Sequence, residues 1–125
     1  MTPRAVFAAI LIPALAACAQ LQSVSPLSKG RAALNEGIRL YDDGQHLAAA
    51  KSLQNALDLG LSDRQQADAH KYLAFIHCSI GRTGPCREEF RQALMADPEL
   101  SLAPAEAGHP VWGPIFASLK AGPAI

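Results

Sequence analysis

The sequence predicts an all-α fold: two antiparallel helix hairpins closed by a C-terminal capping helix. Three observations lead there. Alanine and leucine are abundant in a chain that is 50% hydrophobic and 6% aromatic, and Val, Ile and Thr form no alternating runs, so composition favours helix over sheet. The chain matches itself at an offset of 37 residues, as stacked supersecondary units do. Gly44 and Gly81, related by that offset, separate the helical stretches where a turn needs positive φ. A length of 125 residues argues for one domain.

Residues 1–17 read as a leader outside the fold. A short basic start, Met1 to Arg4, precedes an apolar run over 5–17. That run is shorter than the roughly 20 residues a spanning helix needs and fits the apolar region of an export signal. Leu15-Ala16-Ala17-Cys18 resembles the lipobox of bacterial lipoproteins. The resemblance implies cleavage before Cys18 and a covalent lipid on its thiol. Because Ala19 and Gln20 follow in place of Asp, it also implies delivery to the outer membrane, facing the periplasm. Multiple acyl chains would hold the protein firmly, each buried CH₂ contributing roughly 0.8 kcal/mol. No cofactor is expected beyond that lipid. Residues 18–28, with Pro26 and no clear period, read as the lipidated cysteine and a flexible tether.

The helical repeat is expected over 29–98, and a linker with the capping helix over 99–125. The offset places Gly37 on Ala74, Ala49 on Cys86, Leu53 on Phe90, and Ala56-Leu57 on Ala93-Leu94. Small residues thus fall where antiparallel helices would touch, and larger apolar ones a turn further on. Helices are expected over 29–43, 46–59, 63–80 and 84–96. Ser62-x-x-Gln65 is a capping box that starts the third, and Asp97-Pro98 stops the fourth. A fifth, over 110–120, begins at Pro110, a residue tolerated in a first turn. Its Trp112, Ile115, Phe116 and Leu119 recur at helical spacing and cap the open end of the array; the alternative for Trp112 is contact with a partner. Residues 103–108 read as a loop or short turn able to fold back over the concave face.

These features resemble the tetratricopeptide repeat, with its Leu-Gly-x₂-Tyr, Ala-x₃-Phe and Pro signature. The second copy reads Leu73-Ala74-x₂-His77, Cys86-x₃-Phe90 and Pro98; the first reads Glu36-Gly37-x₂-Leu40 and Ala49-x₃-Leu53. His77 and Leu40 replace the tyrosine, and the early tryptophan is absent. Against the family's period of 34, three residues are left over, which Arg64-Gln65-Gln66 can hold as one more turn of the third helix. In that family the first helix of each pair lines a concave groove that accepts peptides. The resemblance therefore implies a groove of Arg31, Leu34, Ile38, Tyr41 and Asp42 from the first copy and Lys71, Phe75 and Ser79 from the second. Such a groove pairs apolar contacts with one basic residue per copy. The alternative for Leu34, Ile38 and Phe75 is plain core.

Cys78 and Cys86 lie eight residues apart across one tight turn. In an oxidising compartment, where disulfides persist, they would staple the second hairpin and contribute roughly 2–3 kcal/mol in the chain-entropy model. Otherwise they are buried thiols acting as small apolar groups. His70 and His77 share a helix face and, with a cysteine, sketch a zinc site, but the close ligand pairs of such sites are missing, and no metal is expected. Asp42-Asp43 and Glu88-Glu89 read as solvated helix charges. With no nucleophile elbow, phosphate-cradling loop or zinc-protease helix, the sequence predicts no enzyme. Eleven basic side chains balance eleven acidic ones, which gives no general attraction to nucleic acid.

The expected function is that of a membrane-tethered adaptor, binding a protein or peptide partner in an envelope machine. The tail from Pro104 to Pro114 resembles the C-terminus of tetratricopeptide lipoproteins found with type VI secretion. Two rival readings are a pilotin-type lipoprotein assisting secretin or outer-membrane assembly and, from another class, a periplasmic metal or redox protein using His70, His77, Cys78 and Cys86.

Overall fold

The computed structural model describes residues 25–122 together with Pro3. The described residues contain six helices and no strand. They are α1 Pro26–Asp42, α2 His46–Leu59, α3 Asp63–Ser79, α4 Thr83–Ala96, the single turn α5 Pro104–Ala107, and α6 Trp112–Lys120. Every bound of α1 and α2 recurs in α3 and α4 at an offset of 37 residues.

The hydrogen bonds repeat with the same offset. At the first turn, Gly44 N–H donates to Tyr41 O and Gln45 N–H to Leu40 O, each at 2.9 Å. At the second, Gly81 N–H donates to Cys78 O at 3.1 Å and Arg82 N–H to His77 O at 2.9 Å. Gly44 and Gly81 carry φ of 79° and 81°, a left-handed conformation that costs a residue with a Cβ roughly 1 kcal/mol.

The helix starts repeat too, and here the expected boundary moves. The first helix begins at Pro26, not at residue 29, so residues 26–28, expected as tether, are helical; the rest of the expected tether, up to residue 24, lies outside the described residues. Ser25 is the N-cap, its Oγ accepting from Ser28 N–H at 3.2 Å, and Pro26 occupies the first turn, where its missing donor is not needed. Ser62 is its counterpart: its Oγ accepts from Gln65 N–H, and Gln65 Oε1 accepts from Ser62 N–H in return. The additional turn assigned to the third helix alone therefore belongs to both hairpins.

Each hairpin closes over small residues. Ala49 and Cys86, Leu53 and Phe90, and Ala56 and Ala93 are fully buried in matched pairs. The helices of the first hairpin approach so closely that a Cβ on Gly37 would stand 2.7 Å from Leu53 Cγ. One apolar cluster centres on Leu34, Leu53, Leu73 and Ile76, and a second on Phe75, Phe90, Trp112 and Phe116; Tyr41 and Tyr72 pack against both. α1 pairs with α2 and α3 with α4, and the hairpins join through α2 and α3.

The C-terminal segment closes the array. α6 packs on α4 and more lightly on α3, as α3 does on α2 and α1, and thus sits where the first helix of another pair would stand. Trp112 and Phe116 are 8% and 7% exposed, which makes them capping core. α6 starts at Trp112 instead of Pro110. His109 explains the shift: its Nδ1 accepts from the N–H groups of Val111 and Trp112, at 3.1 and 3.3 Å, and holds Pro110 outside the helix. The stretch expected as a loop or short turn forms the single turn α5, whose start is fixed by Glu106 Oε1 accepting from Ala103 N–H at 2.9 Å.

Candidate functional site

α1 and α3 run side by side and carry all the residues expected to line a groove, but the structure sorts those residues into three groups. Leu34 and Phe75 are core, not groove: they are 3% and 1% exposed. Leu34 lies on the same buried stripe as Gly30 and Gly37, which faces α2. Phe75 is stacked on Trp112, with ring centroids 4.4 Å apart, and meets Phe90 edge-on at 5.9 Å. Ile38 packs half-buried against the first cluster. Arg31 and Ser79 sit apart from the centre. Arg31 lines a shallow recess with Leu27 and Ser62 near the helix starts, and the Ser79 hydroxyl donates to Phe75 O within its own helix end.

Tyr41, Asp42 and Lys71 remain, and the fold adds Asp68, Tyr72 and Glu106 to them. Tyr41 stacks on His46 with centroids 5.2 Å apart and meets Tyr72 edge-on, also at 5.2 Å. Lys71 Nζ lies 5.0 Å from the centre of the Tyr72 ring and 3.3 Å from the Glu106 carboxylate. Both members of that ion pair are largely buried. The pair draws α5 down onto α3, and Trp112 Nε1–H locks it from behind by donating to Glu106 O at 2.8 Å. The C-terminal segment thus covers the second-hairpin end of the face, while Tyr41 and Tyr72 are half-buried and keep part of their surface exposed.

Burial and nearby carboxylates both act on the phenols of this patch. Burial raises the Tyr41 phenol above its ordinary range, and the charges of Glu106 and Asp42 add to the shift. Burial raises Tyr72 likewise, with Glu106, Asp42 and Asp68 contributing. Asp68 is also raised, chiefly by burial; Lys71 and Arg64 offset this in part.

The chain was compared with protein-family models, curated proteins and solved structures. None of them matches.

The remaining predicted positions lie elsewhere. Cys78 and Cys86 are joined by a disulfide across the α3–α4 turn, with Cα atoms 5.3 Å apart. His70 Nδ1 sits 2.6 Å from Glu89 Oε2, linking α3 to α4. His77 Nδ1 is buried without a hydrogen-bond partner. The cysteines are thus bonded to each other, and no group of three or more potential metal ligands forms among the described residues. The proposed lipid attachment at Cys18 lies outside the described residues. No helix among the described residues is long and apolar enough to cross a membrane. Sequence reasoning missed Tyr72, Asp68 and Glu106. The first two are on the predicted third helix and adjoin predicted groove residues, whereas Glu106 reaches Lys71 across 35 positions and leaves no local signal.

Proposed function

We propose that this chain is a lipid-anchored, non-catalytic adaptor of the tetratricopeptide-repeat kind, holding a segment of a partner protein against the α1–α3 face. In this reading Cys18 tethers it to the outer membrane on the periplasmic side, and the partner belongs to an envelope machine. Type VI secretion is the system that the tail resemblance suggests. One observation carries the proposal: the helix bounds of the two hairpins, and the hydrogen bonds that close their turns, repeat at an offset of 37 residues, so α1 and α3 stand as equivalent first helices and jointly present Tyr41 and Tyr72. Adjacent first helices of stacked pairs form the extended surfaces on which such arrays seat their ligands. Because the C-terminal segment occupies the second-hairpin end, the partner would lie over the first hairpin and the α3 midpoint.

The test is site-specific photocrosslinking in cells that make the full-length protein. A photoreactive side chain at Tyr41 should capture one discrete partner; the same group at Asp58, exposed on α2, should not. Mass spectrometry of the purified product should find fatty acids on Cys18. Equal capture from both positions, or none from Tyr41, would overturn the groove assignment. An unmodified Cys18 would remove the anchor.

A further inference from the structure

We propose that the α1–α3 face takes a basic segment, seating a lysine or arginine side chain against the Tyr41–Tyr72 pair between Asp42 and Asp68. This rests on the adaptor reading and names the partner chemistry that reading leaves open.

The argument is an inventory of charge around the two rings. Among the described residues, Lys71 is the one cation of α1 or α3 that lies over these rings, and it is already occupied. Its ammonium lies 3.3 Å from Glu106 and over the Tyr72 ring. An acidic partner would have to displace a carboxylate of the same chain, held in place at high effective concentration. Arg39, further along α1, is spent on Glu36 and Asp43 at 2.6 and 2.8 Å. His46 is taken up by stacking on Tyr41. Arg64 is exposed and acts on Asp68 only in part. Asp42 and Asp68 have no ion-pair partner among the described residues; Asp42 directly follows Tyr41 in the chain, and Asp68 precedes Tyr72 by four residues on α3, which places it on the same helix face.

The position of Lys71 over the Tyr72 ring is a second, geometric observation. It shows that a primary ammonium is accommodated over this aromatic group with a carboxylate behind it. That is the arrangement a partner's cation would repeat on the exposed part of the rings, where ring quadrupole and carboxylate act together. The sequence alone placed one basic residue per copy, Arg31 and Lys71, in the groove beside Asp42 and named no sign of charge for the partner. The structure moves Arg31 to the helix starts and neutralises Lys71.

The experiment uses full-length lipidated protein in detergent and two fluorescein-labelled peptides, one of repeating Gly-Leu-Lys and one of repeating Gly-Leu-Glu. Fluorescence anisotropy should show saturable binding of the lysine peptide that weakens as salt is raised. The double substitution Asp42→Asn with Asp68→Asn should weaken it by about tenfold, and Asp58→Asn on the opposite layer should leave it unchanged. Glu106→Gln, which frees Lys71, should weaken the lysine peptide and strengthen the glutamate peptide. Circular dichroism checks that each variant keeps its helix content. Tighter binding of the glutamate peptide to the unaltered protein, or indifference to both the double substitution and Glu106→Gln, overturns the proposal. If neither peptide binds while Tyr41 still crosslinks a partner, the charge assignment falls and the adaptor reading stands. If crosslinking fails as well, both fall.

Discussion

Opening the Cys78–Cys86 disulfide should cost the domain a large and localised share of its stability. The bond closes a loop with a sequence separation of eight. Chain entropy assigns such a closure roughly 2.5 kcal/mol at room temperature. Both sulfurs are buried in the second cluster, so reduction alone leaves the packing in place and removes only the constraint on the unfolded chain. Exchanging both residues for alanine also removes the sulfur atoms from a close-packed site, adding about 1–2 kcal/mol. For a domain of this size, roughly 4–8 °C of melting temperature accompanies each kcal/mol, which places the reduced protein about 10–20 °C below the oxidised one. The assay is a far-ultraviolet circular dichroism melt with and without reductant. Native-state hydrogen exchange should lose protection mainly in α3 and α4, because the first hairpin carries Tyr41 and Ala49 at the equivalent places and has no such staple. Melting curves that coincide in the two redox states would refute the reasoning, as would alkylation of Cys78 and Cys86 in unfolded, unreduced protein.

Other perturbations have outcomes of definite sign. Gly30→Ala should destabilise by about 1–2 kcal/mol in urea unfolding despite alanine's better helix propensity, because the new Cβ would lie 1.9 Å from Gly60 O. Gly84→Ala meets nothing within 4 Å and should be neutral or mildly stabilising in the same measurement. The chain's two tyrosines should ionise above the ordinary phenol range when absorbance is followed in an alkaline titration. Since folding raises both values, their contribution to stability is complete below pH 10 and is lost as pH climbs through the folded-state values. A phenol titration at or below the ordinary value would contradict the burial described above. Trp112→Ala should cost about 3–5 kcal/mol, detach α6 and increase dye binding to the exposed Phe75 and Phe90, whereas Val111→Ala, on an exposed neighbour, should do neither.

Much of the scaffold was legible because its rules are local. Gly44 and Gly81 mark turns by their freedom of φ, Ser62 and Gln65 mark a helix start, and the constant offset ties the two units together. The first turn of α1 was legible as well, since Ser25 precedes Ser62 by the same 37 residues, but the apolar leader and Pro26 made the stretch look like tether. The candidate site was harder to read. A first helix in such an array packs on two neighbours, so helical spacing cannot say whether an apolar residue faces core or groove. Leu34 and Phe75 went inward for different reasons: one faces the glycine-lined contact with α2, and the other receives Trp112. Lys71 looked available because its counter-charge comes from a segment that only tertiary folding brings near.

The position of α6 has a consequence for how the chain can change length. The helix rests on aromatic side chains peculiar to the second unit, Phe75 and Phe90, where the first unit carries Ile38 and Leu53. A duplicate of the second unit spliced between Pro98 and Glu99 would offer α6 an identical landing surface, whereas a duplicate of the first would not. The protein can therefore be extended from within, one module at a time, with both termini left as they are, and its reach becomes a quantity set by the number of inserted modules.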